Sequence, residues 1–142
     1  MAPRVGTVKI FDADSNTEIR KQVLFALTQT NGSRARAKLL DVARTADDIE
    51  VRKQAIFWLG QQAGSEAVDF LAQLYDSENN GDVKEQLIFA LGQSNQKAAL
   101  RKLMQIAKGD ASVEMRKKAI FWLGQSPDPE AAKFIEEILK FK

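Results

Sequence analysis

The chain has 142 residues and a net charge of +2, from 21 basic and 19 acidic side chains, and 44% of it is hydrophobic. That is ordinary composition for one globular domain, and the near-neutral balance does not point to nucleic acid or an anionic membrane. Cys and His are both absent, which excludes disulfides, zinc sites built on those ligands, and Cys–His or Ser–His–Asp nucleophile systems.

No metal or cofactor is expected. No apolar run is long enough to span a membrane. Residues 1–11 lack the long apolar segment of a signal peptide. The compartment stays open.

In chain order, residues 3–12 come first. Thr7, Ile10 and Phe11 fall in the register of a helix type, A, that recurs below, although Pro3 and Gly6 weaken it. Residues 18–29 (EIRKQVLFALTQ) form a second helix type, B. The same block returns without a gap at 50–61, 82–93 and 114–125, each time 32 residues on. Such self-similarity is the signature of a repeat architecture.

Each B block opens on a helix-capping residue: Asn16, Asp48, Asn80 or Ser112. An acid follows two residues later, at Glu18, Glu50, Asp82 and Glu114, where it suits the helix dipole. In the first block, Ile19, Val23, Ala26, Leu27 and Thr30 share the core side at about 100° per residue.

Between B helices run A helices. Ala35, Ala67, Ala99 and Ala131 correspond, as do Leu39, Leu71, Leu103 and Ile135, and Val42, Leu74, Ile106 and Ile138. That is a one-faced helical stripe. Turn residues separate the helices, and Asp128 before Pro129 supplies a cap with proline at the first helical position.

No helix pair of this kind can bury both faces alone, so neighbours must stack. The expected fold is all-α, an α-α superhelix of antiparallel helix pairs with a 32-residue repeat. One domain covers 1–142, with units of about 16–47, 48–79, 80–111 and 112–142 after a partial helix in 1–15. Residues 129–141 form an A helix with no B helix after it, so the chain reads either as a piece of a longer repeat protein or as a small protein with minimal caps.

The block from Asp48-Ile49-Glu50-Val51-Arg52 through Leu59-Gly60 resembles a HEAT repeat in its short bacterial form, and the resemblance covers roughly residues 16–140. It implies an α-solenoid whose B helices line the concave side. It also implies a scaffold for proteins or peptides, without catalysis. Engineered binders of similar sequence vary the equivalents of positions 18, 21, 25 and 29. Some relatives bind DNA, and some are chromophore lyases.

The candidate site is the polar arc of helix B. Phe25, Phe57, Phe89 and Phe121 stand almost opposite the core side, one per repeat. Gln29, Gln61, Gln93 and Gln125 flank them, with Lys21, Lys53, Glu85 and Lys117. An apolar stripe rimmed by amides and charges suits a recognition surface. The same ladder could instead pack between neighbouring B helices, or drive weak self-association of an otherwise monomeric chain.

Trp58 and Trp122 alternate with Ala26 and Ala90, while Ala55 and Ala119 alternate with Val23 and Leu87. Large beside small reads as interface filling, with each indole N–H needing an acceptor; ligand stacking by the two rings is the other reading. Arg20, Arg52, Lys84 and Arg116 form a basic ladder, and the resemblance implies that they bond acids or carbonyls of the neighbouring repeat. For nucleic acid, Lys21, Lys53, Lys117 and Lys118 are offset by Glu18, Glu50, Asp82, Glu85 and Glu114. No paired carboxylates stand apart from the capping pattern. A structural spacer within a larger protein is the alternative to a binding module.

Overall fold

A computed structural model describes residues 16–30, 32–62 and 64–140. Among them are eight α-helices and no strand. They are α1 (Thr17–Thr28), α2 (Ser33–Thr45), α3 (Ile49–Gln61), α4 (Ser65–Ser77), α5 (Gly81–Gln93), α6 (Lys97–Gly109), α7 (Val113–Gln125) and α8 (Pro129–Lys140). The odd-numbered helices are type B and the even-numbered ones type A. The partial helix expected over 3–12 and the final residue of the one expected over 129–141 lie outside the described residues.

The helix starts follow from their caps. The Asn16 side chain accepts from the Ile19 amide at 3.0 Å, Asp48 from Glu50 at 2.9 Å, Asn80 from Val83 at 3.0 Å and Ser112 from Met115 at 3.3 Å. Each bond satisfies an amide that the helix itself leaves unpaired. The Thr17 hydroxyl also donates to Asp48. That bond, aided by the Glu50 and Val51 amides, holds the carboxyl below its usual range.

α2 and α4 start differently. Gly32 and Gly64 precede them with φ of 138° and 134°, backbone that only glycine adopts without strain. At α8, the Asp128 carboxylate accepts from the Glu130 amide at 2.8 Å, and Pro129 is the first helical residue.

The contacts divide the chain into two compact units after Gln62. In the first, α1 packs on both α2 and α3, and α2 packs on α3. In the second, each helix packs on its successor. α5 also meets α7, and α4 and α6 meet α6 and α8. B helices therefore lie beside B helices and A helices beside A helices, which is the repeat stacking its periodicity requires.

The core is the apolar register of both helix types. Ala35, Ala67, Ala99 and Ala131 are buried, as are Leu39, Leu71 and Leu103. On the B helices the buried arc is wider than the periodicity suggests. Leu24, Ile56 and Ile88 are fully buried, although they lie outside the arc of 19, 23, 26, 27 and 30. Each sits on the flank of its helix. Their counterpart Ile120 is exposed. Ile19 is also exposed, unlike Val51, Val83 and Met115 at the same register position.

Candidate functional site

The stacking of α5 beside α7 brings two repeats of the polar arc together. Between them lies a cleft of about 440 Å³. Its apolar lining comes from Ile88, Phe89, Phe121 and Trp122, and its rim from Glu85, Glu114, Lys117 and Lys118. Phe121 is 58% exposed and Phe89 half-buried.

The aromatic rings are tied to one another. Trp122 lies between Phe89, with centroids 5.5 Å apart, and Phe121, at 5.3 Å, both edge-on. In the first unit Trp58 lies between Phe25, tilted at 5.4 Å, and Phe57, edge-on at 5.0 Å. Such geometry suits the ring quadrupoles and adds to simple burial. Phe25 is 41% exposed and Phe57 half-buried. The four phenylalanines thus touch the tryptophans and also keep part of their surface open. The sequence treated the two residue types separately, because they lie at adjacent positions with different angular directions.

The glutamines Gln29, Gln61, Gln93 and Gln125 are all exposed at the C-terminal ends of their helices. The charges around the rings are mostly paired within their own helix. Lys21 meets Glu18 at 3.7 Å, Lys53 meets Glu50 at 3.7 Å and Lys117 meets Glu114 at 3.9 Å. Exposed pairs of this spacing contribute only a few tenths of a kcal/mol each, about 0.2–0.5.

One pair crosses the cleft. Lys118 on α7 bonds Glu85 on α5 at 2.5 Å. The Glu85 carboxylate, with a smaller contribution from Glu114, holds the ammonium above its usual range. The sequence reading places Lys118 and Glu114 on this arc without a binding role, and Ile88 and Trp122 are outside its binding set. A signal for the first was present: the repeats carry Gln at this position (Gln22, Gln54, Gln86), and Lys at the position of Glu85 (Lys21, Lys53, Lys117). The two departures occur together and make the cross-helix bond.

A second cluster lies where α4 and α6 end. The Tyr75 hydroxyl donates to the Asp110 carboxylate at 2.6 Å, and Lys84 stands 3.5 Å from the same oxygen. Lys84 also lies 4.9 Å from the Tyr75 ring centre, and Lys102, buried and bonded to Asp76 at 2.5 Å, lies 5.8 Å from it. Burial and the Asp110 charge push the Tyr75 hydroxyl well up. Burial alone would raise Asp110 as well. The Tyr75 hydroxyl, the Ser112 amide and Lys84 outweigh it and hold that carboxyl low.

Two members of the basic ladder reach carbonyls of the preceding repeat, while Lys84 pairs with Asp110 of its own. Arg52 donates to the Ala43 carbonyl at 2.9 Å and Arg116 to the Asp110 carbonyl at 2.5 Å. Every cation of the second cluster faces an acid, so the arrangement ties repeats together.

The family model for HEAT repeats matches residues 6–92 and 77–142. The chain belongs to the HEAT-repeat family. HEAT repeats generally serve as protein-interaction scaffolds, and the family is typically non-catalytic. No curated protein matches the chain. Among the described residues of these HEAT repeats, no helix is long and apolar enough to cross a membrane, and no acidic cluster could hold a metal ion.

Proposed function

We propose that the chain is a protein- or peptide-binding scaffold without catalysis, and that the polar arc of its B helices is the binding face. The supporting observation is the cleft between α5 and α7, where Phe121 exposes 58% of its surface above a space of about 440 Å³. A large exposed aromatic beside a half-buried one is the pattern of an interface anchor rather than of a finished core. The proposed contact set is Phe25, Phe57, Phe89 and Phe121, with Gln29, Gln61, Gln93 and Gln125 and the charges Lys21, Lys53, Glu85 and Lys117.

The test replaces Phe89 and Phe121 by Ser. Loss of partner capture with a nearly unchanged melting temperature supports the reading. An unchanged partner set rejects it.

A second reading has its own observation. The ring contacts of Phe25 with Trp58 and of Phe89 with Trp122 join neighbouring B helices, as a packing device would. On this reading the chain is a spacer. The same double variant then loses stability in proportion to buried area and no partner is captured.

A further inference from the structure

The α5–α7 cleft departs from the repeat consensus at two positions, and the departures compensate each other. Where Lys21, Lys53 and Lys117 stand in the other repeats, α5 has Glu85. Where Gln22, Gln54 and Gln86 stand, α7 has Lys118. A consensus residue at both places would leave a lysine on α5 and a glutamine on α7, with no bond across the cleft. The actual pair closes one side of it with a 2.5 Å contact.

Four charges stand around the cleft, two carboxylates (Glu85, Glu114) against two ammonium groups (Lys117, Lys118). Both ammonium groups have a carboxylate within 4 Å, at 2.5 Å and 3.9 Å. The charge is therefore balanced locally, and the apolar floor is what a ligand meets. An incoming charged side chain would have to displace a formed pair and lose its own hydration, with little Coulomb gain.

Resting on the binding role proposed above, we infer that the Glu85–Lys118 bond makes this cleft selective for an uncharged peptide segment bearing one bulky aromatic or aliphatic side chain. That side chain seats on the apolar floor formed by Ile88, Phe89, Phe121 and Trp122. Glu85 is the residue that sets the selectivity. With lysine in its place, the cleft would hold three ammonium groups against one carboxylate.

The experiment selects random short peptides displayed on phage against the immobilised 142-residue chain, then measures the synthetic winners by fluorescence anisotropy. The expected winners share one aromatic or large aliphatic residue flanked by uncharged residues, and their affinity changes by less than about twofold between roughly 50 and 500 mM salt. Glu85→Lys should move the selection to acidic peptides whose affinity falls steeply with salt. Glu85→Gln should move it part of the way, with the melting temperature of both variants checking the fold.

Winners of wild type that are charged and salt-sensitive overturn the inference while leaving the binding face in place. Winners of the uncharged class that Glu85→Lys leaves unaltered overturn the role of Glu85. Winners indifferent to Phe89→Ser and Phe121→Ser, or no winners at all, overturn the proposed binding face itself.

Discussion

Trp122 lies directly against the backbone of Gly92. A Cβ at Gly92 would stand 2.6 Å from Cγ of the indole and 2.7 Å from Cε3, closer than nonbonded carbons can approach. Gly92 therefore admits the ring that α7 presents to α5. In the first unit, Thr28 occupies the corresponding position. There the Phe25–Trp58 pair is tilted by 53°, against 79° for Phe89–Trp122.

The same glycine recurs at Gly124, where an added Cβ meets nothing within 4 Å. Two identical substitutions should therefore have opposite signs. Gly124→Ala should stabilise by up to about 1 kcal/mol, the helix-propensity difference. Gly92→Ala gains the same propensity but forces the indole to move, for a net loss of about 1–3 kcal/mol. Urea unfolding of both variants checks this, and a stable Gly92→Ala would show that the ring contact is not tight.

The bond from Tyr75 to Asp110 carries a pH dependence with two arms. The Tyr75 hydroxyl is raised by burial and by Asp110. It therefore stabilises the fold fully below its unfolded value of 10.0, and that contribution is lost as pH rises beyond. Asp110 is held low, so its contribution is present above the unfolded value of 3.8 and is lost as pH falls through the folded one.

Tyr75 is the single tyrosine of the chain, so tyrosinate absorbance reads it without interference. Its titration should be delayed until the chain unfolds at alkaline pH. Tyr75→Phe should cost about 1–3 kcal/mol at neutral pH, because Asp110 loses a buried donor, and should flatten the decline above pH 10. A freely titrating Tyr75 near its ordinary value would contradict the burial.

Much of this fold could be read from the repeat. The four caps at Asn16, Asp48, Asn80 and Ser112 were legible because capping depends on local chemistry within three residues. The A-helix stripe was legible because one neighbouring layer buries it. The full burial of Leu24, Ile56 and Ile88 was not, because a flank position becomes core only once the neighbouring repeat is in place. The site behaved similarly. The angular reading found Phe89, Phe121, Glu85 and Lys117 around one cleft. It favoured packing for Trp122 over ligand stacking and did not place it at this cleft, because a single helical wheel cannot show a side chain that reaches across to the next helix.

Asp48 differs from the other B-helix caps in bearing a charge. Asp48→Ala should cost about 0.5–2 kcal/mol, and it also removes the acceptor of the Thr17 hydroxyl. Asp48→Asn should lose much less, since the amide oxygen can take over the cap. Because the Asp48 carboxyl is held low, its contribution is present above the unfolded value and disappears as pH falls through the folded one. Thermal melts at neutral and acidic pH should therefore show the Asp48→Ala deficit shrinking with acid. A deficit independent of pH would assign the effect to packing.

The two tryptophans should respond differently to the same replacement. The Trp58 indole nitrogen is buried with no hydrogen-bond partner among the described residues. An unsatisfied buried donor costs about 1–3 kcal/mol. Trp58→Phe removes that donor along with part of the ring, so the lost packing and the relieved desolvation offset each other, and stability should stay within about 1 kcal/mol of wild type. Trp122 carries no such penalty, and its ring fills the space above Gly92. Trp122→Phe should lose about 1–3 kcal/mol through the void it leaves. Each variant retains one tryptophan, so denaturant unfolding followed by fluorescence measures both. Equal losses would mean that the Trp58 nitrogen finds an acceptor in solution.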